Sequence, residues 1–135
     1  MKVLRYGICA CVAVLFAACV TSKTDVKNQQ ALLRSEWKIV KVNGEKASGE
    51  DIPSMALDTE RVYGSTGCNS YFGEYELKGN KLKFDKVGCT RRLCHNAPSE
   101  GAILEALNKV ASFKAEAGKV FLYDAAGTCV MELGK

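Results

Sequence analysis

Between Glu36 and Leu133 apolar residues recur at about every second position, in short runs separated by glycine, asparagine or aspartate. That period belongs to strands with one buried face. Trp37, Ile39 and Lys41 alternate with Lys38, Val40 and Val42, and the run ends at the turn dipeptide Asn43-Gly44. Met55 and Leu57, after Pro53, form a short strand; Arg61 to Ser65 form another, with Asp58-Thr59-Glu60 between them. Gly64 and Gly67 then interrupt the pattern. The clearest hairpin follows. Tyr71, Gly73, Tyr75 and Leu77 alternate with Phe72, Glu74, Glu76 and Lys78, and beyond Gly79-Asn80 the residues Leu82 and Phe84 alternate with Lys81, Lys83 and Asp85. Glycine accepts positive φ without a steric penalty, so a tight primed turn is predicted there. One face carries Tyr75, Leu77, Leu82 and Phe84, the other Glu74, Glu76, Lys81 and Lys83.

The period changes to that of a helix near Asn96 to Ser99, where Pro98 is tolerated in a first turn and Glu100 suits the positive end of a helix dipole. Ile103, Leu104, Leu107, Val110 and Ala111 make one apolar stripe, the expected cover for the sheet. The Glu105–Lys109 pair on the far side contributes only about 0.2 to 0.5 kcal/mol, so burial must hold this helix, and Leu107→Asp is expected to unfold the domain. Val120 and Leu122 then alternate with Phe121 and Tyr123, a turn runs from Asp124 to Gly127, and Cys129, Met131 and Leu133 alternate with Val130 and Glu132. Short strands, one amphipathic helix and no βαβ rhythm predict an α+β fold: a small curled antiparallel sheet or barrel packed against one main helix.

Upstream, Lys2 and Arg5 precede an apolar stretch from Tyr6 to about Phe16 and the sequence Leu15-Phe16-Ala17-Ala18-Cys19. This is the layout of a secretory signal, and the stretch is short of the roughly 20 apolar residues of a membrane span. A small-residue site ending in cysteine reads as a bacterial lipoprotein signal, with residues 1–18 removed and Cys19 acylated. Residues 19–35 then form a polar tether with a weak helical pattern in Val26, Ala31, Leu32 and Leu33, and 36–135 a single domain. The expected location is the cell envelope, anchored by lipid. Val20 after the lipid site lacks the aspartate that retains some lipoproteins at the inner membrane, which favours the outer one.

Lys2 and Arg5 account for two of the 19 basic side chains, so 17 face 15 acidic ones in the rest. That near-neutral balance is no nucleic-acid footprint. Of seven cysteines, Cys9 and Cys11 lie in the signal and Cys19 is the lipid site, leaving Cys68, Cys89, Cys94 and Cys129. In an oxidising compartment four cysteines in a small domain point to two disulfides, with three connectivities open.

Two segments stand apart from the strand pattern: Gly67-Cys68-Asn69-Ser70-Tyr71-Phe72-Gly73, and Thr90-Arg91-Arg92-Leu93-Cys94 leading into Asn96-Ala97-Pro98-Ser99-Glu100. With the Trp37 strand and the closing hairpin around Asp124 and Gly127, they resemble the META domain of HslJ-like bacterial lipoproteins. The resemblance implies a small antiparallel barrel-like fold with a helix, no established enzyme activity, and a role in stress responses and the cell envelope. It marks Gly67, Cys68, Asn69, Gly73, Thr90, Cys94 and Glu100 as motif positions. Some relatives have been compared with lipid-binding pilot lipoproteins, an analogy of fold.

Cys68 and Cys94 are the two cysteines inside those motifs, and a bridge between them would tie the turn before the central hairpin to the helix start. Closing a loop of this length stabilises by about 3 to 4 kcal/mol. Cys89 and Cys129, outside the family pattern, would form the second bridge. A redox pair is disfavoured because no Cys-x-x-Cys occurs. Cys68, Cys89, Cys94 and His95 have the makings of a zinc site, but an oxidising envelope favours bridges, so neither metal nor cofactor is expected. His95 reads as solvated, and Asn69 as a turn former bonding nearby backbone. Arg91, Arg92, Lys78, Lys81, Lys83 and Lys86 could face anionic lipid, but Glu74, Glu76 and Asp85 dilute them, and a solvated face is the simpler reading.

Three functions follow in order of expectation. The first is a non-catalytic envelope protein acting through protein contacts. The second is a carrier holding an acyl chain between Tyr75, Leu82 and Phe84 on the sheet and Leu104 and Leu107 on the helix. An enzyme comes last, because few titratable groups accompany the motifs.

Overall fold

The computed structural model describes residues 23–116 and 118–135. The signal segment and Cys19 lie outside the described residues. The elements in order are α1 (Lys23–Leu33), β1 (Glu36–Val42), β2 (Glu45–Lys46), β3 (Ser54–Leu57), β4 (Arg61–Ser65), β5 (Ser70–Lys78), β6 (Lys81–Cys89), α2 (Glu100–Lys109), β7 (Ser112–Glu116), β8 (Lys119–Tyr123) and β9 (Cys129–Gly134). Every pairing is antiparallel, in the order β2-β1-β3-β4-β5-β6-β7-β8-β9, and β1 also pairs with β9, so the pairings close into a ring. None of the described helices is long and apolar enough to cross a membrane.

The α+β class matches the sequence pattern, but two helices share the packing where one was expected. On α2, Ile103, Ala106 and Leu107 are buried, and the helix packs on β6, β9 and β1. The helix α1 packs against β7. Its covered face runs through Val26, Gln29, Gln30 and Leu33, the i, i+3, i+4, i+7 spacing of one helical side. Two of those four are glutamines, one donating through Nε2 to Gly79 O at 3.0 Å, so the face carries little apolar signal. Leu33 is fully buried, and its carbonyl accepts from Trp37 Nε1 at 3.1 Å, so the presumed tether is built into the core.

The strand β7 was also missed. It buries only Phe113 and Ala115, which alternate with exposed Lys114 and Glu116, and follows the helix after two residues. The Gly79-Asn80 turn carries positive φ on Gly79 alone, and Asn43 (φ 51) and Gly44 (φ 80) both adopt it in the first turn. Two bulges re-aim side chains. In β6 the register shifts near Lys86, which sits at φ 51. Between β8 and β9, Leu122 faces Met131 but Tyr123 faces Cys129, leaving Val130 as the extra residue. Val130 is therefore buried and Cys129 turned outward.

That bulge explains the failure of the expected second bridge. Cys89 and Cys129 are free thiols, Cys89 half-buried against the core and Cys129 exposed. Their strands β6 and β9 are also separated in the sheet by β7 and β8. Cys68 and Cys94 are joined by a disulfide with Cα atoms 6.0 Å apart.

Candidate functional site

Where β4 turns into β5, the chain forms a knot that holds the loop between β6 and α2. Thr66 starts it: its Oγ1 accepts from the backbone N–H of Cys68 at 3.3 Å and of Asn69 at 2.9 Å, closing a tight turn in which Gly67 sits at φ 92. The Thr66 hydroxyl lies 3.0 Å from Glu100 Oε1, to which it can donate. Asn69 is buried and uses its whole amide. Oδ1 accepts from Thr90 Oγ1 at 3.0 Å and from Arg92 N–H at 2.6 Å, while Nδ2 donates to Glu100 Oε1 at 2.7 Å and Arg92 O at 3.1 Å. The expected turn former thus reaches distant chain rather than its neighbours, because the Cys68–Cys94 bridge brings that loop over it.

The remaining motif residues serve the same clamp. Thr90 Oγ1 accepts from Ser70 N–H at 3.0 Å. Gly73 lies opposite the β6 bulge, where a Cβ would come within 2.9 Å of Asp85 O. A second loop, 47–53, is strapped to the knot: Gly67 O accepts from Asp51 N–H at 2.9 Å, and Arg92 donates to Cys68 O at 2.9 Å while pairing with Asp51 at 3.5 Å. Ser99, at the start of α2, turns its Oγ to accept from Ser48 N–H at 2.9 Å and makes no side-chain cap of its own. Sequence reading did not single out Thr66, Ser48, Glu50 or Asp51; only Thr66, three residues before Asn69, carried a local turn signal.

The clamp leaves the outer side of its loop bare. Arg91, Leu93 and His95 are exposed, Leu93 completely, and the backbone N–H of His95 donates to Glu50 at 2.8 Å. Beside the loop is an open cleft of about 600 Å³ whose lining includes Val87, Cys89, Glu100, Leu104 and Asn108. Burial, and then the charge of Glu100, push the Cys89 thiol above its usual pKa, with Arg91 opposing. A protonated thiol of this kind is a weak nucleophile at neutral pH. Cys68 and Cys94 are committed to their bridge, which removes both from any zinc set, and among the described residues no three His, Cys, Asp or Glu side chains are placed to hold a metal.

Several solved structures share the fold. An NMR structure of a protein from Burkholderia xenovorans is 25% identical with a TM-score of 0.63, covering 81% of this chain and 86% of that one. A second NMR structure is 22% identical, with a TM-score of 0.61 over 78% of this chain and 92% of its own. The crystal structure of a DUF4847 family protein from Bacteroides vulgatus ATCC 8482 is 10% identical, with a TM-score of 0.58 over 78% of this chain and 94% of its own. A search of curated proteins found no match. The family model for the META domain matches residues 30–134, from the last turn of α1 through β9 and across both knotted segments. The chain belongs to the META domain family.

Proposed function

We propose that this is a lipid-anchored envelope protein whose META domain is not an enzyme and acts through contacts with other proteins, in envelope integrity or stress tolerance. The observation that carries this reading is how the motif side chains are used. Asn69, Thr66, Thr90 and Glu100 direct their polar atoms at one another and at backbone, holding a loop whose apolar Leu93 is fully exposed. An apolar side chain presented on a clamped loop suits a partner surface better than a reaction. The anchor rests on the signal and Cys19.

The test is a photo-crosslinking residue at position 93 in intact cells, with exposed Glu45 as the control position. Protein adducts specific to position 93 are expected; adducts no more frequent than at Glu45 would sink the contact reading. Fatty-acid labelling lost in Cys19→Ser would support the anchor, and labelling that persists would refute it. A copurified acyl chain in native mass spectrometry would instead favour the carrier. Against it stands the packing of Leu82, Phe84 and Leu107, three of its supposed lining residues, into the buried core.

A further inference from the structure

The fold separates basic side chains that the sequence pattern groups together. Lys86 pairs with Glu74 at 3.2 Å, and Arg91 and Arg92 lie on the clamped loop, Arg92 paired with Asp51. Lys78, Lys81 and Lys83 gather instead at the Gly79-Asn80 end of the β5–β6 hairpin. All three are exposed, and none takes part in the ion pairs found among the described residues. Lys78 and Lys81 stand directly opposite each other in the ladder, where like charges repel. With Glu76 the three lysines line a cleft of about 440 Å³ whose other walls include Leu82 and Val110. One carboxylate there opposes three ammonium groups. A positive surplus held at a cost to the sheet suits an anion from outside.

The start of α1 lies at the same hairpin tip. Arg34 Nε donates to Tyr75 Oη at 3.3 Å and Gln30 Nε2 to Gly79 O at 3.0 Å, so α1, followed backwards, runs along β5 towards the turn. One helical turn further back, Val26 lines a second cleft together with Gly79 and Asn80. The helix begins at Lys23, four residues after Cys19. Four residues span at most about 14 Å, so an acyl group on Cys19 brings this end of the domain to the bilayer. The clamp lies at the other end of the hairpin, where Tyr71 pairs with Cys89, about 23 Å along β5 from Lys78.

We infer that the Gly79-Asn80 end of the sheet is the membrane-facing surface of the domain, where Lys78, Lys81 and Lys83 meet the phosphates of anionic phospholipids in the bilayer that holds the Cys19 lipid. The tether limits the distance and the lysines set the orientation. Held this way, the domain turns the loop of Leu93 away from the lipid and towards other proteins. The inference rests on the proposed anchor and adds the surface that touches the membrane.

The test uses the full-length protein, expressed with its signal in bacteria and reconstituted into phosphatidylcholine vesicles with or without phosphatidylglycerol. A photo-crosslinking residue replaces exposed Asn80 or, as the distant control, Leu93. With phosphatidylglycerol, position 80 is expected to give about fivefold more phospholipid adducts than without it, and more than position 93. That excess is expected to vanish when Lys78→Gln and Lys81→Gln are combined or salt is raised. The urea midpoint of the double variant, expected to equal or exceed the parent's because a like-charge pair is removed, checks its fold. Adducts indifferent to phosphatidylglycerol, equal adducts from positions 80 and 93, or a folded double variant that behaves as the parent would overturn the inference. So would protein in place of lipid adducts from position 80 in intact cells, which would point to an acidic partner. Mass analysis of Cys19 in the same sample separates the two readings: acylated protein without these adducts retires the inference alone, and protein without an acyl group retires the anchor with it.

Discussion

Asn69 and Glu100 are 31 residues apart in the chain, yet Asn69 Nδ2 donates to Glu100 Oε1 at 2.7 Å, and that bond fastens the first turn of α2 to the turn before β5. Asn69→Ala would strip partners from Thr90, Arg92 and Glu100 together. Buried hydrogen bonds of which one includes a charged group put the cost at about 2 to 4 kcal/mol, read as a lowered urea midpoint. A midpoint unchanged from the parent would mean that water replaces the amide at no cost.

The bridge between Cys68 and Cys94 predicts a particular pattern of alkylation. Peptide mapping of the native protein should find Cys89 and Cys129 modified and Cys68 and Cys94 protected until a reductant is added. Burial, their first cause of perturbation, raises the pKa of both free thiols, so their alkylation should still be accelerating at a pH where a free cysteine peptide has reached its plateau. Cys94→Ala should cost about 3 to 4 kcal/mol by loss of loop closure.

Tyr71 predicts the response to alkali. Its ring is buried, its hydroxyl donates to Ser54 O at 2.7 Å, and burial pushes its pKa far above the usual tyrosine value. In the unfolded chain the phenol loses its proton near about pH 10, so above that pH the native state holds one proton more. The contribution of Tyr71 is therefore complete below about pH 10 and is lost as pH rises beyond it. Tyr71→Phe should lower stability by about 1 kcal/mol at neutral pH, yet flatten the decline between about pH 9 and about pH 11. Urea midpoints across that range decide it; parallel curves for the two proteins would remove Tyr71 from the explanation.

Two core positions should be intolerant for opposite reasons. Leu107 is fully buried on α2, and Leu107→Ala leaves a cavity that should cost about 2 to 5 kcal/mol. Gly64 has no room at all: a Cβ there would lie 2.1 Å from Ser54 O and 2.8 Å from Tyr71 Oη. Gly64→Ala must push β3 and β4 apart, and a loss of about 3 kcal/mol or more in thermal unfolding is expected.

The strands and α2 were legible because their burial follows simple periods. Trp37 and Ile39 alternate until a bulge near Val40 passes the inward place to Val42, and the hairpin from Tyr71 to Phe84 needs only its turn glycine to be seen. What escaped reading depended on tertiary partners. The glutamines of α1 are covered only because β7 and Gly79 lie against them, and β7 itself buries only Phe113 and Ala115. The motif was recognisable as a unit, but its wiring was not: nothing local to Asn69 says that its amide meets Thr90, Arg92 and Glu100. Cys129 was misjudged for the same reason, since a one-residue bulge reverses the direction of a side chain without leaving a mark in the alternation.

The joining of β1 to β9 also orders events in time. Lys38 pairs with Gly134, so the first strand cannot complete its ladder until almost the last residue of the domain has been made. Closure of the ring must therefore wait for β9, and contacts across so long a stretch of chain form slowly. The local ladders from β3 to β6 need no residue beyond Cys89, so the centre of the sheet can assemble before its two ends meet.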